Sequence, residues 1–130
     1  MIIGLDFDNT IVSYDSLFHK VSVEQNLINE IFEVNKIKIR DYLRSVNKED
    51  AWTEMQGYVY GYRMQEAEPF PYIKDFFLKV TELGHKIYII SHKTKYPFLG
   101  EKYDLHEAAK NWISKNLVQH ANSRFTLESC

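Results

Sequence analysis

Two short apolar runs constrain this chain more than any other feature: IIGLDF at residues 2–7 and KIYIIS at residues 86–91, each followed by polar residues. Such runs suit buried strands of a parallel sheet. Parallel strands need a crossover, and residues 72–83 place Ile73, Phe76, Phe77, Val80 and Leu83 on one helical face. Gly84 follows where a left-handed C-cap is wanted. The order strand, helix, strand predicts a right-handed crossover, with ligands bound outside the carboxyl ends of the strands. Both DFDNT and SHKTK stand at such ends.

Between the runs lies a helical insert. Ser22 with Gln25 reads as a capping box opening a helix through Leu27, Ile28, Ile31 and Phe32. A second run has Ile39, Tyr42, Leu43 and Val46 on one face, and Asn47 with Asp50 caps a third through Trp52, Met55, Val59 and Tyr62. Gly57 and Gly61 in the third read as close packing or helix bending. Pro69 and Pro71 break the pattern where the chain returns to its core. Beyond the second strand, Asp104 and Glu107 cap a last helix with Leu105, Ala108, Ala109, Trp112 and Ile113 facing inward, and RFTL suggests a third, short strand.

At 130 residues the chain has room for one main domain and a small insertion. A net charge of −2 provides no global field to gather nucleic acid or acidic lipid, so an anionic substrate must be met locally. The single cysteine, Cys130, excludes an intrachain disulfide and a cysteine-based metal site. No apolar stretch approaches a membrane span, and the expected setting is cytoplasmic, with no membrane or nucleic-acid partner.

The carboxylates of DFDNT carry the chemistry. Residues two apart on an extended strand point the same way, so Asp6 and Asp8 can converge on one group where the strand opens into a loop. A solvated turn is the alternative. Two such carboxylates repel when ionised, and the site makes sense only with a cation or a basic side chain.

DxDxT after an apolar strand, together with a serine ending a later one in IYIIS, resembles the haloacid dehalogenase-like superfamily of phosphotransferases. The helical insert resembles that family's cap, and the resemblance covers about residues 1–115. It implies a Rossmann-like, three-layer α/β/α parallel sheet with a helical cap after strand 1: a core of residues 1–14 and 69–130, and a cap of residues 15–68. It also implies a magnesium-dependent phosphatase acting on a small phosphorylated metabolite. Asp6 would be the nucleophile that forms an aspartyl-phosphate, and Asp8 would protonate the leaving oxygen before activating water. The carboxylate of Asp6 and the backbone carbonyl of Asp8 would bind Mg2+. Thr10, Ser91, His92 and Lys93 would hold phosphate, while Arg63 and Tyr62 of the cap are candidate substrate contacts.

The family's third-motif lysine and fourth-motif aspartate pair have no counterpart downstream of Ser91, so the implied site is shortened on its C-terminal side. Weak metal affinity and weakened turnover follow, unless Lys93, Lys95 or Lys110 substitutes for the absent lysine. The alternative is a catalytically impaired phosphate-binding or regulatory protein of the same fold. A sheet short of outer strands also leaves an edge that another copy in a homo-oligomer could cover.

Overall fold

A computed structural model describes residues 1–117 and the backbone of residues 123–128. The two apolar runs pair with each other. Strand β1 (Ile2–Asp6) lies parallel to β4 (Lys86–His92), from Ile2 opposite Lys86 to Asp6 opposite Ile90. Strand β5 (Ser123–Glu128) continues the sheet on the far side of β4, also parallel, and contains the RFTL segment. The crossover from β1 to β4 ends in helix α4 (Ile73–Glu82), which buries Ile73, Phe77 and Val80. Gly84 then takes a φ of +82°, the left-handed conformation that suits glycine at a helix end.

Burial in the sheet has a period of two. Ile87, Ile89 and Ser91 are buried and Ile3 and Leu5 pack against the core, whereas Ile2, Gly4, Asp6, Lys86, Ile90 and His92 are exposed. Among the described residues one face of the sheet is therefore open, with Ile2 67% exposed. The architecture is α/β with a parallel sheet and a helical insertion after β1. Apolar residues at exposed positions made both strands read as buried on two faces.

The insertion is tied at its base. Strands β2 (Val12–Ser13) and β3 (Glu68–Pro69) form an antiparallel ribbon, with Val12 opposite Pro69, and the Phe70 amide donates to the Ile11 carbonyl at 3.0 Å. Within this bracket lie α1 (Asp15–Glu24), α2 (Lys36–Ser45), α3 (Glu49–Tyr60) and a short 3-10 turn (Met64–Glu66).

Helix α1 corrects the expected helix after Ser22. It starts seven residues earlier and buries Leu17, Phe18, Val21 and Ser22, and Asn26 closes its end at φ +58°. The Ser22 hydroxyl donates to the Met55 sulfur at 3.2 Å, so it joins two helices instead of capping one. Ile31, assigned to that helix, is almost wholly exposed. Asn35 caps α2 through a 3.0 Å bond from the Lys38 amide, and α2 buries Ile39 and Leu43. Helix α3 buries Trp52, Met55 and Val59.

Gly57 and Gly61 are contact glycines. A Cβ on Gly57 would stand 2.6 Å from the Pro97 ring, and one on Gly61 would overlap Tyr103. The segment after β4 is thereby seated directly on α3. Alanine at Gly57 would gain about 1 kcal/mol of helix propensity but must displace a rigid ring, and overpacking of this kind costs about 1–3 kcal/mol. Gly57→Ala is expected to lower the urea midpoint; an unchanged or raised midpoint would mean that the segment yields freely.

The last helix, α5 (Leu105–Leu117), is capped by Asp104, whose side chain accepts from the Glu107 amide at 2.9 Å. It buries Leu105, Ala109 and Trp112. The Trp112 indole donates to the Ala67 carbonyl at 2.9 Å, and its ring meets Phe7 edge-on at 5.5 Å. No helix among the described residues is long and apolar enough to cross a membrane.

Candidate active site

After Asp6 the chain leaves the sheet through a tight turn. The amides of Thr10, Ile11 and Val12 all point to the Phe7 carbonyl, at 3.4, 3.0 and 3.3 Å, and Asn9 adopts φ +64°. Asparagine tolerates that left-handed conformation better than most side chains do. Phe7 is fully buried, which leaves Asp6 and Asp8 on the other side of the chain. The Asp6 carboxylate is exposed, and its Oδ1 accepts from the Phe7 amide at 2.9 Å. Asp8 is half-buried, and its Oδ1 accepts a short hydrogen bond from the Tyr14 hydroxyl.

Lys93, just beyond the end of β4, provides the cation. Its Nζ lies 3.3 Å from Asp8 Oδ1, and its side chain is only 5% exposed. The ammonium sits 4.5 Å from the centre of the Tyr60 ring and 5.7 Å from that of Phe7, within range of a cation–π attraction. Burial pushes the Lys93 ammonium below its usual pKa, and the Asp8 charge opposes the shift. The start of α5 fixes the lysine backbone: His106 Nε2 is 2.6 Å from the Lys93 carbonyl, and the Leu105 amide donates to the Lys95 carbonyl at 2.8 Å. Because a carbonyl only accepts, His106 must carry its proton on Nε2. Burial first, then the Asp8 charge, raises the Tyr14 hydroxyl well above its ordinary pKa, so Tyr14 remains a donor.

A cavity of about 290 Å³ opens beside this pair. Helix α3 forms one wall with Thr53, Gln56, Gly57 and Tyr60, spaced to share one helical face. Asp8, His92, Lys93 and Thr94 contribute the polar groups of the other wall, and Pro97, Phe98 and Leu105 close the side.

Of the residues singled out in the sequence, Asp8, His92 and Lys93 are thus brought together around one cavity. Asp6 lies exposed two residues before Asp8 and does not line it, nor does Thr10, which is half-buried in the turn. Ser91 is 1% exposed, and its hydroxyl has no hydrogen-bond partner among the described residues. Such a group ordinarily costs about 1–3 kcal/mol to leave unpaired.

Arg63 and Tyr62 lie apart from the cavity. The Arg63 guanidinium bonds both Glu24 oxygens, at 2.7 and 3.1 Å, and also Glu66, tying the end of α1 to the 3-10 turn. Tyr62 is 69% exposed, stacks on Tyr58 and lines a separate shallow groove with Tyr103. Neither is placed to touch a ligand at Asp8.

Sequence reasoning did not find Tyr14, Tyr60, Lys36 or His106. Lys36 Nζ donates to the Tyr60 hydroxyl at 2.5 Å and stands 5.2–5.8 Å from the rings of Tyr60, Phe18 and Tyr14. The only signal for Tyr60 is its place on the same α3 face as Thr53, Gln56 and Gly57.

No group of three or more histidine, cysteine, aspartate or glutamate residues that could cage a metal occurs among the described residues. The oxygen donors at the turn are the Asp6 carboxylate, the second oxygen of Asp8 and nearby backbone carbonyls. Such a set fits Mg2+ only in the manner of ions that keep most of their waters and take one or two carboxylates plus substrate phosphate. The Lys93 ammonium already meets part of the Asp8 charge. Comparison of the chain with protein-family models, curated proteins and solved structures found no match.

Proposed function

We propose that the chain is a phosphoric monoester hydrolase of the haloacid dehalogenase-like kind, acting on a small phosphorylated molecule. The observation that carries this reading is the meeting of Asp8 and Lys93 at 3.3 Å at the carboxyl end of a parallel sheet, beside a cavity walled by the helical insertion. A carboxylate strand end, a buried ammonium and a roofed cavity of about 290 Å³ together suit a small anionic ester.

In this reading the ester fills the cavity with its phosphoryl group extending past Asp8 toward the exposed Asp6, whose carboxylate attacks phosphorus as the bond to the leaving oxygen breaks, giving an aspartyl-phosphate. Asp8 supplies the proton that the leaving oxygen takes up. Water then attacks the same phosphorus, Asp8 takes its proton, and Asp6 is released. Lys93 and the amides around His92 hold the phosphoryl oxygens as charge builds. Magnesium, held by Asp6 and the Asp8 carbonyl, would supply further charge neutralisation when bound.

One observation favours a second reading, a phosphate-binding protein with little turnover. Tyr14 and Lys93 both donate to Asp8 Oδ1, an arrangement that suits a fixed carboxylate better than one that exchanges protons. Hydrolysis of an aryl phosphate in the presence of magnesium separates the two. Slow turnover that Asp6→Asn abolishes supports the hydrolase; phosphate binding without turnover supports the second reading.

A further inference from the structure

Tyr60 holds an unusual position among the groups around the cavity. Its hydroxyl oxygen accepts from Lys36 Nζ at 2.5 Å, and an ammonium has no acceptor to offer in return. The Gln56 side chain also hydrogen-bonds the Tyr60 hydroxyl in the sense that lowers its pKa, as a donor, so Lys36 and Gln56 both address the phenolic oxygen and the Tyr60 proton is left to point elsewhere. Two ammonium groups flank the ring: Lys93 from the core at 4.5 Å from its centre and Lys36 from the insertion at 5.2 Å. Burial, then the Asp8 charge, raises the Tyr60 pKa far above neutrality, so the hydroxyl keeps its proton under ordinary conditions. Tyr60 also lines the cavity together with Asp8 and Lys93.

We infer that Tyr60 is a ligand-binding residue that donates its phenolic proton to an oxygen of an anionic phosphate ester in the cavity, with Lys36 as the positioning residue that occupies its oxygen from behind. The inference rests on the phosphate-handling reading above and adds to it a donor from the insertion facing Lys93 of the core. The anion would then be gripped from both parts of the chain. Lys36 does not line the cavity, so its effect passes through Tyr60. Lys36 is itself anchored, its backbone amide donating to Asp15 at 2.8 Å, which fixes the start of α2 against α1.

Inorganic phosphate is the probe, with binding followed by calorimetry on the full chain. A hydrogen bond to a charged group is worth about 1.5–3 kcal/mol, so Tyr60→Phe should weaken phosphate binding about 10- to 100-fold. Lys36→Met should weaken it in the same direction, and Lys36→Arg, which retains a cationic donor, should restore most of the loss. That rescue distinguishes positioning from simple packing, because methionine fills the same space without donating. Wild-type affinity in both Tyr60→Phe and Lys36→Met would overturn the inference while leaving the phosphate reading in place. A wild-type chain that binds no phosphate would overturn both.

Discussion

Lys93→Met is expected to reduce aryl phosphate turnover about 100- to 1,000-fold, the scale on which removal of one preorganised electrostatic stabiliser acts. The substitution removes the ammonium seated against Asp8 and leaves the cavity with an acidic wall. Its effect on folding should be of a different size and even of opposite sign. The Lys93 side chain is 5% exposed, so methionine there relieves the desolvation cost of a buried ammonium, and the change destabilises only as far as Asp8 is left uncompensated in the interior. Asp8 is not stranded by the change, since it is 28% exposed and retains the Tyr14 hydrogen bond. Turnover lost at constant or raised melting temperature would mark Lys93 as functional; parallel loss of both would mark it as structural.

Trp112→Ala is expected to have the largest effect on stability. Trp112 is fully buried, packs edge-on against Phe7 between the two aspartates, and bonds the Ala67 carbonyl where the insertion ends. Truncating a buried tryptophan costs about 3–5 kcal/mol, and the carbonyl loses its donor as well. For a chain of this size that should lower the melting temperature by about 10–20 °C, as followed by circular dichroism. Because the same ring supports Phe7, partly folded Trp112→Ala should also lose phosphate affinity. A shift of only a few degrees would mean that α5 and the base of the insertion are held chiefly by other contacts.

Where a signal is local, the sequence carries it clearly. Isoleucine-rich runs set β1 and β4, apolar spacing sets α4, although of the residues read on its inner face Phe76 and Leu83 are exposed, and Asp104 opens α5 by a cap that the structure retains. Gly57 and Gly61 read equally as close packing or helix bending, and it is their contacts with Pro97 and Tyr103, far along the chain, that make them packing glycines. Helix α1 was misplaced because Ser22 and Gln25 imitate a capping box, while Ser22 is in fact buried against Met55. The open sheet face was hidden by Ile2 and Ile90, which are apolar yet exposed.

The candidate site divides in the same way. Asp8 comes two residues after β1, His92 ends β4 and Lys93 follows it, and position alone marks them. Tyr14, Tyr60 and Lys36 meet them only because the insertion folds back, and no spacing in the sequence announces that convergence. Arg63 is a candidate only from its place in the cap, and nothing in the sequence signals the Glu24 and Glu66 carboxylates that hold its guanidinium.

The proposed role of Asp6 as nucleophile is the most direct point of test. Protein quenched with acid during turnover of an aryl phosphate in magnesium should yield, by peptide mass spectrometry, a phosphoryl group on the peptide that carries Asp6, and Asp6→Asn should lose both the label and the turnover. Turnover that persists in Asp6→Asn, or a phosphoryl group found on another peptide, would contradict the assignment.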